Sequence, residues 1–124
     1  MKKLTLIPGD GIGQEVVLGT KQIIDSLGLD IQWDIVTNPM NDKKRISEEL
    51  EKSLSITKVG LKGPLTTPIG DGFRSINVEI RKRFELFANV RPIKTLQGFK
   101  TNYKDLDMII IRENTEDLLS LIHI

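Results

Sequence analysis

The sequence predicts an α/β fold built on a largely parallel sheet, and three observations predict it. Short aliphatic and β-branched runs alternate with stretches whose apolar residues recur at helical spacing. Glycine and proline punctuate the junctions, above all at Pro8-Gly9-Asp10-Gly11 and Gly63-Pro64. The 124 residues, 39% of them hydrophobic, suffice for one domain with a buried core.

Taken in order, Leu4-Thr5-Leu6-Ile7 is a β-prone run that Pro8-Gly9-Asp10-Gly11 ends sharply. After Gly13, the residues Val16, Val17, Ile23, Ile24 and Leu27 fall near helical spacing, with Gly28 as the stop. Ile31 to Val36 reads as the second strand and Asn38-Pro39-Met40-Asn41 as a loop. Ser47 is a suitable N-cap for a short helix through Leu54, because Glu49 and Glu51 lie near its positive end. Ile56 to Leu61 is the third strand, closed by Gly63-Pro64. The segment from Pro64 to Gly72 is a loop, and a helix starts near Ser75 with Ile76, Ile80 and Phe84 as its buried stripe. Leu86 to Val90 and Met108 to Ile111 complete the set as further strands. Trp33 is expected as core or half-buried packing, and Lys43-Lys44-Arg45 as a solvated loop.

Eighteen basic and seventeen acidic side chains leave a net charge of +1. That balance argues against a nucleic-acid or membrane-surface partner, since both select basic patches. No cysteine is present, so disulfides and thiolate metal sites are excluded. The apolar run after Met1-Lys2-Lys3 stops at Pro8, short of a signal peptide, and no run is long enough to span a bilayer. A cytoplasmic protein is the resulting expectation.

Two stretches carry candidate chemistry. Gly9, Gly11 and Gly13 lie between a strand and a helix, where free N–H groups can receive a phosphate. Their spacing only partly meets the dinucleotide fingerprint, since Gln14 or Val16 stands where the last glycine belongs. Asp34, the acid such a site wants, lies inside the second strand rather than at its end. A tight turn and a ligand loop both remain open there. The other stretch runs from Lys62-Gly63-Pro64-Leu65-Thr66-Thr67 through Ser75-Ile76-Asn77 and Arg81 to Arg91 and Arg112. Asn77 and Arg81 share a helix face, and Arg91 and Arg112 each stand just after a strand. If they converge, three guanidiniums with a hydroxyl and an amide suit a ligand bearing several carboxylates. Scattered arginines on solvated faces are the alternative.

The ordered blocks Ile7-Pro8-Gly9-Asp10-Gly11-Ile12-Gly13, Gly63-Pro64-Leu65-Thr66-Thr67-Pro68, Phe73-Arg74-Ser75-Ile76-Asn77, Ala88-Asn89-Val90-Arg91-Pro92 and Arg112-Glu113-Asn114-Thr115-Glu116-Asp117 closely resemble the isocitrate/isopropylmalate dehydrogenase family. The resemblance covers residues 3–117, and the Phe73 to Asn77 block looks like the isocitrate branch. It implies the isopropylmalate-dehydrogenase-like, non-Rossmann fold, of which residues 1–117 form an incomplete N-terminal portion. It also implies NAD(P)-dependent oxidative decarboxylation of isocitrate to 2-oxoglutarate, a step of the tricarboxylic acid cycle. Ser75, Asn77, Arg81, Arg91 and Arg112 would hold the substrate carboxylates. Thr67 would lie against the nicotinamide of NAD or NADP, with Asn77 near both ligands. The opening glycines would then shape a turn at the base of the cleft. A homodimer is implied for the full-length parent. Isopropylmalate, homoisocitrate and tartrate dehydrogenases are alternatives within the family. A tricarboxylate-binding or subunit-binding fragment is the non-enzymatic alternative.

The family's chemistry also needs Mg2+ or Mn2+ on aspartates, and a lysine, both downstream of these residues. The position of the family's tyrosine holds Leu119, which has no proton to give. No catalytic or metal-ligating residue is therefore assigned, and the 124 residues alone are expected to be inactive. Residues 118–124 form an atypical tail that departs from the family pattern, and the lone His123 within it is given no role.

Overall fold

The computed structural model describes residues 1–43, 45–66, 75–98, 100–103 and 105–115. It divides into two compact units, Met1–Glu79 and Ile80–Ile124. Thr67, Leu119 and the 118–124 tail lie outside the described residues.

The first unit is a three-stranded parallel sheet in the order β2-β1-β3, with β1 (Lys2–Ile7) between β2 (Ile31–Ile35) and β3 (Gly60–Lys62). Helix α1 (Ile12–Ser26) makes the first crossover and α2 (Glu48–Thr57) the second. The first crossover runs from β1 to β2 and the second from β2 back across β1 to β3, so the two run in opposite directions along the sheet and right-handed connections put their helices on opposite faces. The side chains agree. Thr5 faces α2 and hydrogen-bonds to Ser53 and Thr57, each at 2.7 Å. A methyl carbon added to Gly60 would stand 2.9 Å from Leu54 of α2, whereas one added to Gly63 would stand 2.8 Å from Val17 of α1. Period-two alternation carries through to β2: Trp33 belongs to the α1 face and Asp34 to the α2 face.

Ser47 caps α2 as its type predicts, accepting from Leu50 N at 3.2 Å. The helix runs past Leu54 to Thr57 and ends at Lys58 in the left-handed region, φ 58°. The expected strand over Ile56 to Leu61 is thereby shortened to Gly60–Lys62. The reason is packing. Ser53 and Thr57 are four apart and must share a helix face to reach Thr5, which outweighs the β propensity of Ile56 and Thr57. On α1 only Gly13 and Val17 are buried, while Val16, Ile23 and Leu27 are exposed. Apolar spacing gave the helix correctly but not the face that is buried.

The core of the first unit gathers Leu6, Ile7, Val17, Val36, Ile46, Leu50, Leu65 and Ile76. Ile76 opens α3 (Ile76–Arg83), where Ile80 is also buried and Phe84 half-buried, close to the expected stripe. Trp33 is half-buried and its indole donates to Asp25 at 2.8 Å.

The second unit departs from the parallel expectation. Its strands β4 (Ala88–Lys94) and β5 (Asp107–Glu113) form an antiparallel ribbon from Ala88↔Glu113 to Lys94↔Asp107. β4 begins later than expected and continues through Pro92, which a two-stranded ribbon tolerates because each strand is an edge. Lys94 and Asp107 pair at 2.9 Å where the ribbon closes.

Candidate functional site

The glycine turn after β1 is fastened to the loop after β3. Gly9 and Gly11 take positive φ, 83° and 52°. A methyl group on Gly9 would lie 2.3 Å from Pro64 O, and one on Gly63 would lie 2.2 Å from Pro8 O. Such approaches exclude any side chain at either position. The two backbones therefore touch, and hydrogen bonds cross between them: Asp10 N donates to Pro64 O and Gly63 N to Ile7 O, both at 2.8 Å. The turn is built for backbone contact with Gly63-Pro64.

The dinucleotide reading of this turn also fails at Asp34. Its carboxylate faces α2, where it accepts from Ser53 Oγ at 2.6 Å. Ser53, Thr5 and Thr57 continue the chain of hydroxyls into the interior. Buried hydroxyls need partners, and Asp34 supplies the acceptor at the outer end. That structural duty accounts for an acid in mid-strand.

Downstream of β3, Asn77 Nδ2 donates to Leu65 O at 3.3 Å, so the polar side chain on the first turn of α3 holds the loop before Thr67. Ser75 is half-buried just before α3, and its carbonyl accepts from Val78 N at 2.9 Å and Glu79 N at 3.1 Å. Arg81 stands one turn beyond Asn77 on the same helix and is half-buried.

In the second unit, Arg91 and Arg112 come out on one face of the ribbon. Asn89 is paired with Arg112 and Arg91 with Ile110, and opposed residues share a face. The two arginines are diagonal neighbours, on the order of 7–8 Å apart at this kind of position. Both are exposed, and Arg91 Nε donates to Asn89 Oδ1 at 3.3 Å. Two guanidiniums on one sheet face suit an anion with carboxylates at both ends. Sequence reasoning had not singled out Asn89. Its two-residue spacing from Arg91 was the signal that could have found it. Tyr103 is exposed.

Among the described residues, no group of three or more acidic or imidazole side chains is placed to hold a metal ion, so these residues do not by themselves fit Mg2+ or Mn2+. Nor, among them, is any helix long and apolar enough to cross a membrane.

Parallel βαβαβ topology, the interlocked glycine turn and the two-arginine ribbon define the class as an α/β protein whose second unit carries two arginines on one face of an antiparallel ribbon. The family model described as isocitrate/isopropylmalate dehydrogenase matches residues 3–123, and the chain belongs to that family. It is 47% identical over 117 residues to a catalytic subunit of mitochondrial NAD isocitrate dehydrogenase from Arabidopsis thaliana, covering 90% of this chain and 31% of that protein. It is 44% identical over 116 residues to a regulatory subunit of the mitochondrial NAD enzyme from Dictyostelium discoideum, covering 94% of this chain and 32% of that one. The crystal structure of isocitrate dehydrogenase from Methylococcus capsulatus superposes with a TM-score of 0.80 at 38% identity, covering 97% of this chain and 37% of that chain. The chain thus spans about a third of the length of the relatives it matches. Its fold is the corresponding N-terminal portion of the family's α/β architecture. The expectation of a cytoplasmic protein is overturned, because the Arabidopsis and Dictyostelium relatives are both mitochondrial.

Proposed function

We propose that the full-length protein containing this segment carries out the NAD-dependent oxidative decarboxylation of isocitrate to 2-oxoglutarate. The segment supplies one side of the substrate site. The observation that carries this reading is the shared face of Arg91 and Arg112 on the ribbon. Arg81, with Ser75 and Asn77 near the start of α3, adds a third cation, a hydroxyl and an amide. This set favours a tricarboxylate over a ligand with an apolar branch, since polar side chains facing an isopropyl group lose their partners. Thr67 and Asn77 flank the nicotinamide of NAD. The similarity to NAD-dependent relatives supports that cofactor over NADP. A divalent cation, Mg2+ or Mn2+, takes its oxygen ligands from outside this segment. The protein works within an oligomer, whether a homodimer or an assembly of unlike chains, because relatives of both catalytic and regulatory kinds share this segment.

Steady-state kinetics of the full-length enzyme test the reading. Isocitrate with NAD and Mg2+ is turned over, and isopropylmalate, homoisocitrate and tartrate are poor substrates. Arg91→Lys and Arg112→Lys each raise the KM for isocitrate roughly tenfold or more, because lysine cannot reproduce bidentate contact. Preferred turnover of one of the rival substrates, or an unmoved KM in both variants, would sink the proposal.

A further inference from the structure

Residues 64, 65 and 66 are each held by a polar contact, and Asp10 makes two of the three. Its backbone N donates to Pro64 O at 2.8 Å, and its carboxylate Oδ2 accepts from Thr66 N at 2.7 Å. Asn77 Nδ2 holds the carbonyl of Leu65 between them. Gly9, Gly13 and Gly63 let the two loops approach so closely that an added methyl group would meet atoms of Pro8 or Pro64 at 2.2 to 2.9 Å. The contact spans 56 residues of sequence, so nothing local dictates it. Thr66 N is a donor that solvent could satisfy, because the residue is exposed. Asp10 is therefore not needed to rescue a buried group. What its carboxylate does is fix the path of the chain as it leaves Leu65.

We infer that Asp10 is a positioning residue of the ligand site: its carboxylate latches the 64–66 segment and so sets where the chain enters the cofactor contacts. The inference rests on the proposed site, in which the residue after Thr66 meets the nicotinamide. Asp10 is not among the ligand contacts of the proposed site. It acts through Thr66, and an asparagine at position 10 can accept the same N–H bond.

Two measurements separate the latch from the functional reading. Amide hydrogen exchange at Thr66, followed by NMR in the chain itself, speeds up on the order of tenfold in Asp10→Ala, the factor a lost hydrogen bond implies. Asp10→Asn restores most of the protection. In the full-length enzyme, Asp10→Ala raises the KM for NAD several-fold more than the KM for isocitrate, and Asp10→Asn reverses the split. A merely structural acid would lower the yield of active enzyme and move neither KM selectively. Wild-type exchange at Thr66 in Asp10→Ala, or equal rises in the two KM values, overturns the inference. Failure of the wild-type enzyme to oxidise isocitrate overturns the functional reading instead, and the Thr66 exchange still decides the latch.

Discussion

Asn77 reaches back twelve residues to the carbonyl of Leu65, tying the first turn of α3 to the loop that follows β3. Leu65 is itself buried, so the bond fixes polar backbone beside a core side chain. Asn77→Ala removes the donor and is expected to lower stability by about 1 kcal/mol. Urea denaturation of the chain reads this as a lower midpoint at unchanged slope. A changed slope would mean that the unfolded ensemble, not this bond, had been altered.

Thr5 lies at the centre of the hydroxyl chain that ends on Asp34. Thr5→Val keeps its shape but removes the hydroxyl that Ser53 and Thr57 share, leaving them their bonds to Asp34 and to the Ser53 carbonyl, at a cost of about 1 kcal/mol. A double-mutant cycle with Ser53→Ala checks this. The two substitutions are non-additive if the hydroxyls act as one network, and additive if each merely packs.

Two glycines of this chain respond in opposite directions to alanine. Gly9→Ala forces a side chain against Pro64 O at positive φ and is expected to cost several kcal/mol, enough to leave little folded protein. Gly19 lies within α1 with open space around it, so Gly19→Ala stabilises by about 0.5–1 kcal/mol. Thermal unfolding of the two variants against the wild type measures both signs.

Asp25 gives the surface of α1 a pH dependence. The hydrogen bond from Lys21, and after it the indole N–H of Trp33, hold this carboxyl below its ordinary value of 3.8. A folded-state pKa below the unfolded one means that the contribution is present above the unfolded value. It is lost as pH falls through the folded one. Trp33 is the sole tryptophan, so its fluorescence should titrate in that acid range and cease to do so in Asp25→Asn. An unchanged acid titration in that variant would assign the transition to another group.

The ribbon face opposite the arginines is apolar and open. Val90, Ile109 and Ile111 are 57%, 63% and 69% exposed, on strands that are both edges. The chain is expected to associate as its concentration rises, and Ile111→Lys to suppress this in light scattering.

Much of the fold was legible in the residues themselves. Leu4 to Ile7, the Ser47 cap and the Ile76/Ile80 stripe read correctly because each depends on local periodicity or on a cap three residues away. The third strand was misplaced because Thr57 answers to Thr5, fifty-two residues earlier, and no local propensity encodes that. The candidate arginines were legible as residue types, but their shared face came from the β4–β5 register.

The sequence by itself determined the α/β class and the family, and it offered the residue types of a candidate carboxylate grip, since composition, spacing and ordered motifs are properties of the chain. Tertiary structure alone decided that Asp34 supports Ser53 rather than a ribose, and that Asp10 holds Thr66. It also showed that the glycine turn serves backbone contact with Pro64. The physical reason is common to all three. A polar or glycine residue gets its role from the partner that folding brings to it, and those partners stand 19 to 56 residues away.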